Sequence, residues 1–383
     1  MLDAAVAPRR KQKRQSLEEM LVVDVDIHLH EKPAEMADYL DEPFRQSLKI
    51  AGSFQDDRYL ALPGFAPGDT FYFPMYEGGG DGGRAVWNVN QMRDELDKIS
   101  VDIGILFPDH LLKLAVHPRA DYASAIARAY NAWMVDRWCS REKGILGCVI
   151  ACSQDPFDAA REIEKYAKEP TVVGIYLPTA GVNPLWGHRM YDPIFQAAQD
   201  ADLPVLLHSV TVVHPVFPCQ VHEFQTTLGQ HTVSHTFNMM ANMVSMIETG
   251  VPVRFPRLRV AFTEAGVSWV PFMMHRLDKE YMELRREVPF LEHRPSHYLK
   301  KWYYATQPFA EPEDPKDIVD MVRLYQGENV TMFASDWPHH DFDHPRLVYK
   351  LPWDSEETRR KIMGENALEF FRMDRDGYRL NLK

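Results

Sequence analysis

The sequence predicts a single (β/α)8 barrel, in which eight parallel strands alternate with helices. Eight apolar runs of strand length recur along the 383 residues, and segments with the 3.6-residue period of amphipathic helices lie between most of them. The runs stay apolar on both faces until their last residues, as expected for a parallel sheet covered by helices. An open doubly wound sheet is the alternative. The barrel is favoured because no G-x-G-x-x-G follows the first strand, and because polar residues end many strands rather than one switch point.

The predicted elements follow in chain order. The strands are 22–27, 101–108, 144–151, 172–178, 203–208, 258–264, 302–307 and 330–336. The most regular helical segments are 121–143, 155–169, 191–201, 234–250 and 314–328. Asp155 with Pro156, and Asp314 with Pro315, have the residue types that favour the N-cap and first position of a helix. These starts support two of the helix predictions.

Two segments interrupt the alternation. Residues 1–20 carry a basic cluster without an apolar signal-peptide core, and we interpret them as a flexible arm preceding a barrel domain over 21–383. Residues 50–90 are rich in Gly, Pro and aromatics and follow the first strand, where long loops are usually lids or interface elements. This insertion is therefore predicted to cover the barrel mouth. Its aromatic side chains would contact an aromatic substrate: Phe65, Phe71, Tyr72, Phe73 and Trp87.

Composition narrows the function classes. The formal net charge of −12 argues against a nucleic-acid-binding surface, although a local site could still bind a small anion. Four cysteines without a C-x-x-C pair are expected to be free thiols in a reducing compartment. No apolar run approaches the length of a membrane span. These features predict a cytoplasmic protein that acts on a small molecule and does not bind nucleic acid or membrane.

Metal-type ligands end several of the predicted strands. The stretch "VVDVDIHLHE" places His28 and His30 after the first strand, His208 ends the fifth, and Glu264 and Asp336 end the sixth and eighth. Each has an ordinary explanation by itself, such as a strand end facing water or a turn before proline. The carboxyl ends of all eight strands meet at one mouth of a barrel, however, so these side chains should be neighbours. Three imidazoles and a carboxylate suit a divalent ion such as Zn²⁺ with one open position.

These motifs resemble a known family. The H-x-H at 28–30, "LPVLLHS", "FPRLRVAFTEAGVSWVPFMMHRLDKEY" and "FASDWPHHDF" are similar to the amidohydrolase superfamily, in particular to its branch of metal-dependent, non-oxidative decarboxylases of aromatic and muconate-type acids. The resemblance extends from Val22 to the "IMGENALEFF" segment ending at Phe371. It implies one divalent ion, zinc first and manganese as the alternative. The ligands it implies are His28, His30, His208 and Asp336. It also leads us to expect a homo-oligomer, in the form of a dimer.

The implied reaction is non-oxidative decarboxylation of a small aromatic or unsaturated carboxylic acid. Hydrolysis of an amide, ester, lactone or carbon–carbon bond is the alternative, and a non-catalytic scaffold is a third reading. Decarboxylases of this branch commonly carry a histidine in an H-x-G-G context after the sixth strand, whereas this chain has Glu264, which could ligate the metal, exchange a proton or be structural. Asp336 could serve as ligand and proton shuttle. Among His214, His222, His231 and His235, we favour His235 as a substrate-orienting group because it lies near the start of a predicted helix.

Overall fold

Eight parallel strands form one sheet in which neighbours follow chain order from β1 to β8. The computed structural model describes residues 16–53, 86–179, 181–210, 221, 223–339 and 341–380. The strands are β1 Val23–Leu29, β2 Ile103–Pro108, β3 Ile145–Ile150, β4 Val172–Pro178, β5 Val205–His208, β6 Val260–Thr263, β7 Tyr303–Ala305 and β8 Thr331–Met332. Every strand residue is buried, because helices cover the outer face and side chains fill the interior.

The sheet closes between its last and first strands. The amide of Val25 donates to the Phe333 carbonyl at 3.1 Å, and the amide of His28 donates to the Trp337 carbonyl at 2.8 Å. The amide of Asp336 donates in turn to the Asp26 carbonyl at 3.1 Å. The (β/α)8 barrel predicted from the sequence is confirmed, and its closure brings the ends of β1 and β8 into direct contact.

Helices connect the strands around the outside of the barrel. Their bounds are α1 Pro33–Met36, α2 Phe44–Ser53, α3 Val89–Lys98, α4 Ala120–Arg137, α5 Pro156–Tyr166, α6 Asp192–Asp200, α7 Thr227–Glu248, α8 Val251–Arg254, α9 Val270–Leu284, α10 Pro295–Leu299, α11 Lys316–Leu324, α12 Pro345–Lys350, α13 Glu356–Arg360 and α14 Asn366–Phe371. The Asp155 carboxylate caps α5 by accepting from the amide of Asp158 at 3.0 Å, as predicted. α11 begins one residue later than predicted, at Lys316, whose amide donates to Asp314 at 2.9 Å.

The predicted arm and the predicted insertion both lie partly outside the described residues. Leu17 and Met20 are buried in the core, so the chain packs on the barrel before residue 20, and residues 1–15 of the predicted arm lie outside the described residues. Most of the predicted insertion lies outside the described residues, including Phe65, Phe71, Tyr72 and Phe73. Its last aromatic, Trp87, is 68% exposed, and its carbonyl accepts from the Lys32 ammonium at 2.9 Å. No helix in the described ranges is long and apolar enough to cross a membrane.

Candidate metal centre and active site

One strand supplies a row of three ligand-type side chains. Residues 26, 28 and 30 alternate along and just beyond β1, so Asp26, His28 and His30 project to the same side of the backbone. Asp26 and His28 lie within the strand and are buried, whereas His30 follows its last residue and is partly exposed. The row therefore runs from the barrel interior towards solvent.

The inner part of this row meets side chains from β5 and from the end of β8. His28 Nε2 lies 2.9 Å from Asp336 Oδ1 and 3.3 Å from Asp26 Oδ1. His208 Nε2 lies 2.9 Å from Asp26 Oδ1. All four side chains are buried. We call Asp26, His28, His208 and Asp336 the inner cluster.

The tautomers of the two inner imidazoles are fixed by the backbone. Nδ1 of His28 lies 2.6 Å from the Pro108 carbonyl, and Nδ1 of His208 lies 2.7 Å from the Ser209 carbonyl. A carbonyl only accepts, so each Nδ1 carries the hydrogen, and each Nε2 of a neutral imidazole turns its lone pair towards the carboxylates. Asp26 Oδ2 is buried without a hydrogen-bond partner. Such crowding of electron pairs requires a positive charge, and the donors fit a divalent cation.

The electrostatics of the inner cluster point to the same requirement. Burial opposes a charged imidazole, but the Asp26 and Asp336 carboxylates outweigh it and raise the pKa of His28 to about 9. The pKa of His208 is likewise raised, because Asp26 and Glu264 outweigh its burial. Burial also opposes ionisation of Asp336, yet His339 and His28 hold its pKa well below its usual range. The carboxylates therefore remain charged and attract positive charge into the site.

His30 lies outside the inner cluster, and its place in the ligand set expected from the sequence stays a prediction. Nδ1 of His30 lies 3.0 Å from Asp109 Oδ2, and its ring lies 4.8 Å from that of His110. Asp26 lies beside His28 in the inner cluster. The side chains of the inner cluster are therefore two imidazoles and two carboxylates.

Glu264 lies beside the inner cluster, as the sequence predicted. Its Oε2 is 3.1 Å from His208 Nδ1, and its Oε1 is 3.6 Å from Nε2 of His235 on α7. Burial raises the pKa of Glu264 to about 7, against the opposing effect of His208. Burial also lowers the pKa of His235 well below its ordinary value, so that imidazole is neutral. A neutral imidazole and a carboxyl group that titrates near neutrality therefore lie together beside the candidate ligands.

Both strand-end acids have an unusual backbone conformation. Glu264 has φ 58° and Asp336 has φ 64°, in the left-handed region that non-glycine residues rarely adopt. The Gly266 amide donates to the Gln307 carbonyl at 2.9 Å, and the His339 amide donates to the Asp336 carbonyl at 2.8 Å, which fixes these turns. Left-handed residues of this kind concentrate at functional sites.

Sequence reasoning missed three residues that contact the candidate ligands. Alternation along β1 could have identified Asp26, which lies two residues before His28. His339 Nδ1 lies 2.8 Å from Asp336 Oδ1, and its ring stacks on His28 with centroids 4.1 Å apart. Gln307, after β7, donates from Nε2 to Asp336 Oδ2 at 3.2 Å. No sequence signal distinguished the last two.

The remaining loop histidines have different outcomes. His231 Nε2 lies 3.6 Å from Asp341 Oδ2, and its ring centroid is 4.7 Å from that of His235. His214 and His222 lie outside the described residues. Of this group, the structure thus places His231 and His235 near the acids that follow β6 and β8.

The barrel and the donors at its mouth define the class of metal-dependent barrel enzymes. The family model described as Amidohydrolase matches residues 25–373, and the chain belongs to this family. The family resemblance predicted from the sequence is thereby confirmed.

The chain is similar to several characterised proteins. The gamma-resorcylate decarboxylase of Polaromonas sp. is 22% identical over 268 residues, which cover 66% of this chain and 78% of the relative. The solved 5-carboxyvanillate decarboxylase from Sphingomonas paucimobilis has a TM-score of 0.68 at 19% identity and covers 93% of this chain and 100% of its own. A dihydroxybenzoic acid decarboxylase from Polaromonas sp. with bound manganese has a TM-score of 0.66 at 16% identity, covering 92% and 97%. The solved structures confirm the fold, and all three named relatives are decarboxylases of aromatic acids.

Proposed function

We propose that this protein is a metal-dependent, non-oxidative decarboxylase of a small aromatic carboxylic acid. The inner cluster carries the proposal, because two buried imidazoles and two buried carboxylates lie in contact at the barrel mouth, from His208 through Asp26 and His28 to Asp336. The aromatic-acid decarboxylases among its relatives support the reaction type. Asp26, His28, His208 and Asp336 would hold one divalent ion.

The donor set bears on the identity of that ion. Zinc is the expectation for three imidazoles and one carboxylate, but Asp26 adds a second carboxylate and makes the set richer in oxygen. Oxygen ligands suit Mn²⁺ better than they suit softer ions. The relative with bound manganese supports the same choice. We therefore propose Mn²⁺, with Zn²⁺ as its competitor.

When bound, the ion would act as a Lewis acid that polarises the substrate carboxylate and a neighbouring oxygen. Gln307 and His339 hold the Asp336 carboxylate in place through its two oxygens. Neutral His235 can orient a substrate hydroxyl by a hydrogen bond. Because burial raises the pKa of Glu264 to about 7, its protonated form is populated at neutral pH and can act as the acid.

The proton balance of the reaction is simple. Glu264 gives its proton to the ring carbon that bears the carboxylate, and a C–H bond forms there. The bond from that carbon to the carboxylate then breaks, its electron pair returns to the ring, and carbon dioxide leaves. Glu264 regains a proton from water. In this scheme Glu264 takes the place of the histidine that is common in related decarboxylases.

Glu264 also favours a second candidate function. A buried carboxylate 3.1 Å from the imidazole of a candidate ligand is well placed to accept a proton from water that attacks an ester or lactone carbonyl. A metal-dependent hydrolase is therefore the alternative, and the two reactions differ in whether carbon dioxide is released.

The test is a paired assay on the protein loaded with Mn²⁺. Dihydroxybenzoates and 5-carboxyvanillate are offered in one set, aryl esters and lactones in the other, and carbon dioxide and products are measured by chromatography. We expect carbon dioxide and the matching phenol from the acids. His208→Ala should lose most metal and activity, with the circular dichroism spectrum unchanged. Ester hydrolysis without carbon dioxide from any acid would favour the hydrolase, and full metal content in His208→Ala would contradict the proposed centre.

A further inference from the structure

We propose that a cavity at the amino-terminal end of the barrel binds a small aromatic anion, at a site separate from the candidate metal centre. The cavity has a volume of about 450 Å³ and is lined by residues from 252–259, before β6, and from 292–302, before β7. Small-molecule pockets have volumes of roughly 300–1,000 Å³. The amino ends of the strands lie opposite the barrel mouth, so this lower cavity does not include the inner cluster.

The floor of the lower cavity is apolar and firmly packed. Phe255 and Trp302 line it and are buried. The Phe255 ring lies 5.5 Å from that of Phe195, and the Trp302 ring lies 5.6 Å from that of Phe262, measured between ring centroids. The core therefore holds both rings in place. A flat aromatic ligand would bury its own apolar surface against them.

Cationic side chains surround this floor. Three permanent cations and one carboxylate line the lower cavity: Arg257, Arg259, Lys301 and Glu292. Arg257 pairs with Asp200 at 3.5 Å, where both side chains are exposed. Arg259 pairs with Asp202 at 2.9 Å, but the same carboxylate also pairs with Arg372 at 2.6 Å. The rim thus keeps a positive charge in a chain whose formal net charge is −12.

Lys301 concentrates that charge at one side of the rim. Its ammonium donates to His297 Nε2 at 3.0 Å, and within the described parts of the chain it forms no ion pair with a carboxylate. The ring of His293, another lining residue, lies 4.1 Å from that of His297. Burial, and then Lys301 and His293, lower the pKa of His297. Such a concentration of like charge beside a low-dielectric wall attracts an anion.

The rim is held in shape before a ligand binds. The Ser296 amide donates to Asp278 on α9 at 2.8 Å, and the His293 amide donates to the Tyr298 hydroxyl at 3.4 Å. The Arg259 guanidinium donates to the Asp202 carbonyl at 2.6 Å. Side chains fixed in this way lose little freedom on binding.

The two halves of the lower cavity define the ligand class. The floor accommodates an aromatic ring, and the rim binds an anionic group attached to it. Aryl carboxylates and aryl phosphates share this chemistry, whereas an inorganic anion lacks the ring and a neutral aromatic compound lacks the charge. The site does not rest on the proposed function, because none of its residues belongs to the barrel mouth.

Calorimetric titration of the full chain with four probes tests the proposal. Benzoate and phenyl phosphate carry both features, inorganic phosphate carries only the charge, and benzyl alcohol carries only the ring. We expect benzoate or phenyl phosphate to bind at least about tenfold more tightly than the two partial probes, and the tighter of them identifies the anionic group. Equal affinity for all four probes would overturn the proposal.

Variants then locate the binding site. The titrations are made in wild type and in His208→Ala, which changes the barrel mouth and leaves the lower cavity intact. In the His208→Ala chain, adding Lys301→Glu should weaken binding by about tenfold or more, on the scale of a hydrogen bond to a charged group. Lys279→Glu, at an exposed lysine of α9, is the matched control and should have no effect. Loss of binding in His208→Ala alone, or equal affinities with and without Lys301→Glu, would contradict the lower cavity.

A second pair of variants keeps the test valid if Lys301→Glu fails to fold. Val253 lines the lower cavity and is 36% exposed, so a polar side chain is tolerated there. Val253→Glu should weaken binding by about fivefold, the scale of two like charges about 4 Å apart in water, and neutral Val253→Gln should not. Equal affinities of these two variants would contradict the proposal. The decarboxylase proposal would still stand, because its assay measures carbon dioxide.

Discussion

At the scale of the residue, Glu264 combines three properties that a structural residue does not require. It is buried in a left-handed backbone conformation, its carboxylate lies between His208 and His235, and burial raises its pKa to about 7. A carboxyl group that titrates near neutrality can both give and take a proton. Holding an uncommon backbone conformation and burying an acid both cost folding free energy, which favours a functional role.

We expect Glu264→Gln to lose turnover by about two orders of magnitude, the usual scale for a general acid–base group. Glutamine keeps the shape and a hydrogen-bonding oxygen but cannot exchange the proton. The rate of carbon dioxide release and the metal content are to be measured together, because metal content should remain at the wild-type value. Near-normal turnover in this variant would make Glu264 a structural residue.

The sequence predicted that His28, His208 and Asp336 lie together because the ends of barrel strands must meet, whatever their separation in the chain. The same reasoning and the family resemblance add His30, whose role as a ligand stays a prediction. The alternation of β1 puts Asp26 on the same side, and only the closed barrel decides which two of the three residues lie level with His208. His339 arrives through the turn after β8, where no periodicity constrains the chain.

At the scale of the element, the N-cap of α5 shows how a local hydrogen bond sets the first residue of a helix. Asp155 accepts from the amide of Asp158, and Pro156 occupies the first turn, so the helix begins where the sequence predicted. The start of α11 shifts by one residue because Pro315 adopts the N-cap position there. Strand positions were predicted closely, since burial on both faces makes each strand a continuous apolar run.

Asp155→Ala should destabilise the protein by about 1 kcal/mol, the usual cost of losing a side-chain N-cap. The free energy of unfolding is to be measured by urea denaturation with an unchanged slope. Asp155→Asn retains the accepting oxygen and is the matched control, which should stay close to wild type. Equal destabilisation of both variants would show that charge, rather than the cap, was responsible.

At the scale of the whole molecule, the inner cluster exists only when the barrel is closed. Its residues come from β1, β5 and the end of β8, and the closing hydrogen bonds involve the backbone of Asp26, His28 and Asp336 themselves. Formation of the candidate site therefore depends on closure of the barrel. Residues 54–85, by contrast, lie outside the described residues, so the predicted position of the insertion over the mouth stays a prediction.

A buried acid, Asp343, joins the segments that follow β7 and β8. Its Oδ2 accepts from the Phe309 amide at 2.7 Å, and its own amide donates to the Ser335 carbonyl at 2.8 Å. Burial raises the pKa of Asp343 from 3.8 to about 7. The folded protein thus holds a proton on this group between pH 4 and 7 that the unfolded chain has released. Its contribution to stability is full below about pH 4 and declines as the pH rises through about 7.

Asp343→Asn should remove this dependence, because asparagine keeps an accepting oxygen and does not titrate. With chelator present throughout, the free energies of unfolding of wild type and Asp343→Asn are measured by urea denaturation at several values between pH 5 and pH 8. Wild type should lose stability relative to the variant as the pH rises, with a slope that approaches about 1.4 kcal/mol per pH unit below pH 7 and flattens above it. Asp320→Asn, at a surface acid of α11, controls for the change in net charge and should follow wild type. If the free energies of unfolding of wild type and Asp343→Asn instead change in parallel with pH, Asp343 is already ionised in the folded barrel. The hydrogen bond from the Phe309 amide would then compensate for the burial of its carboxylate.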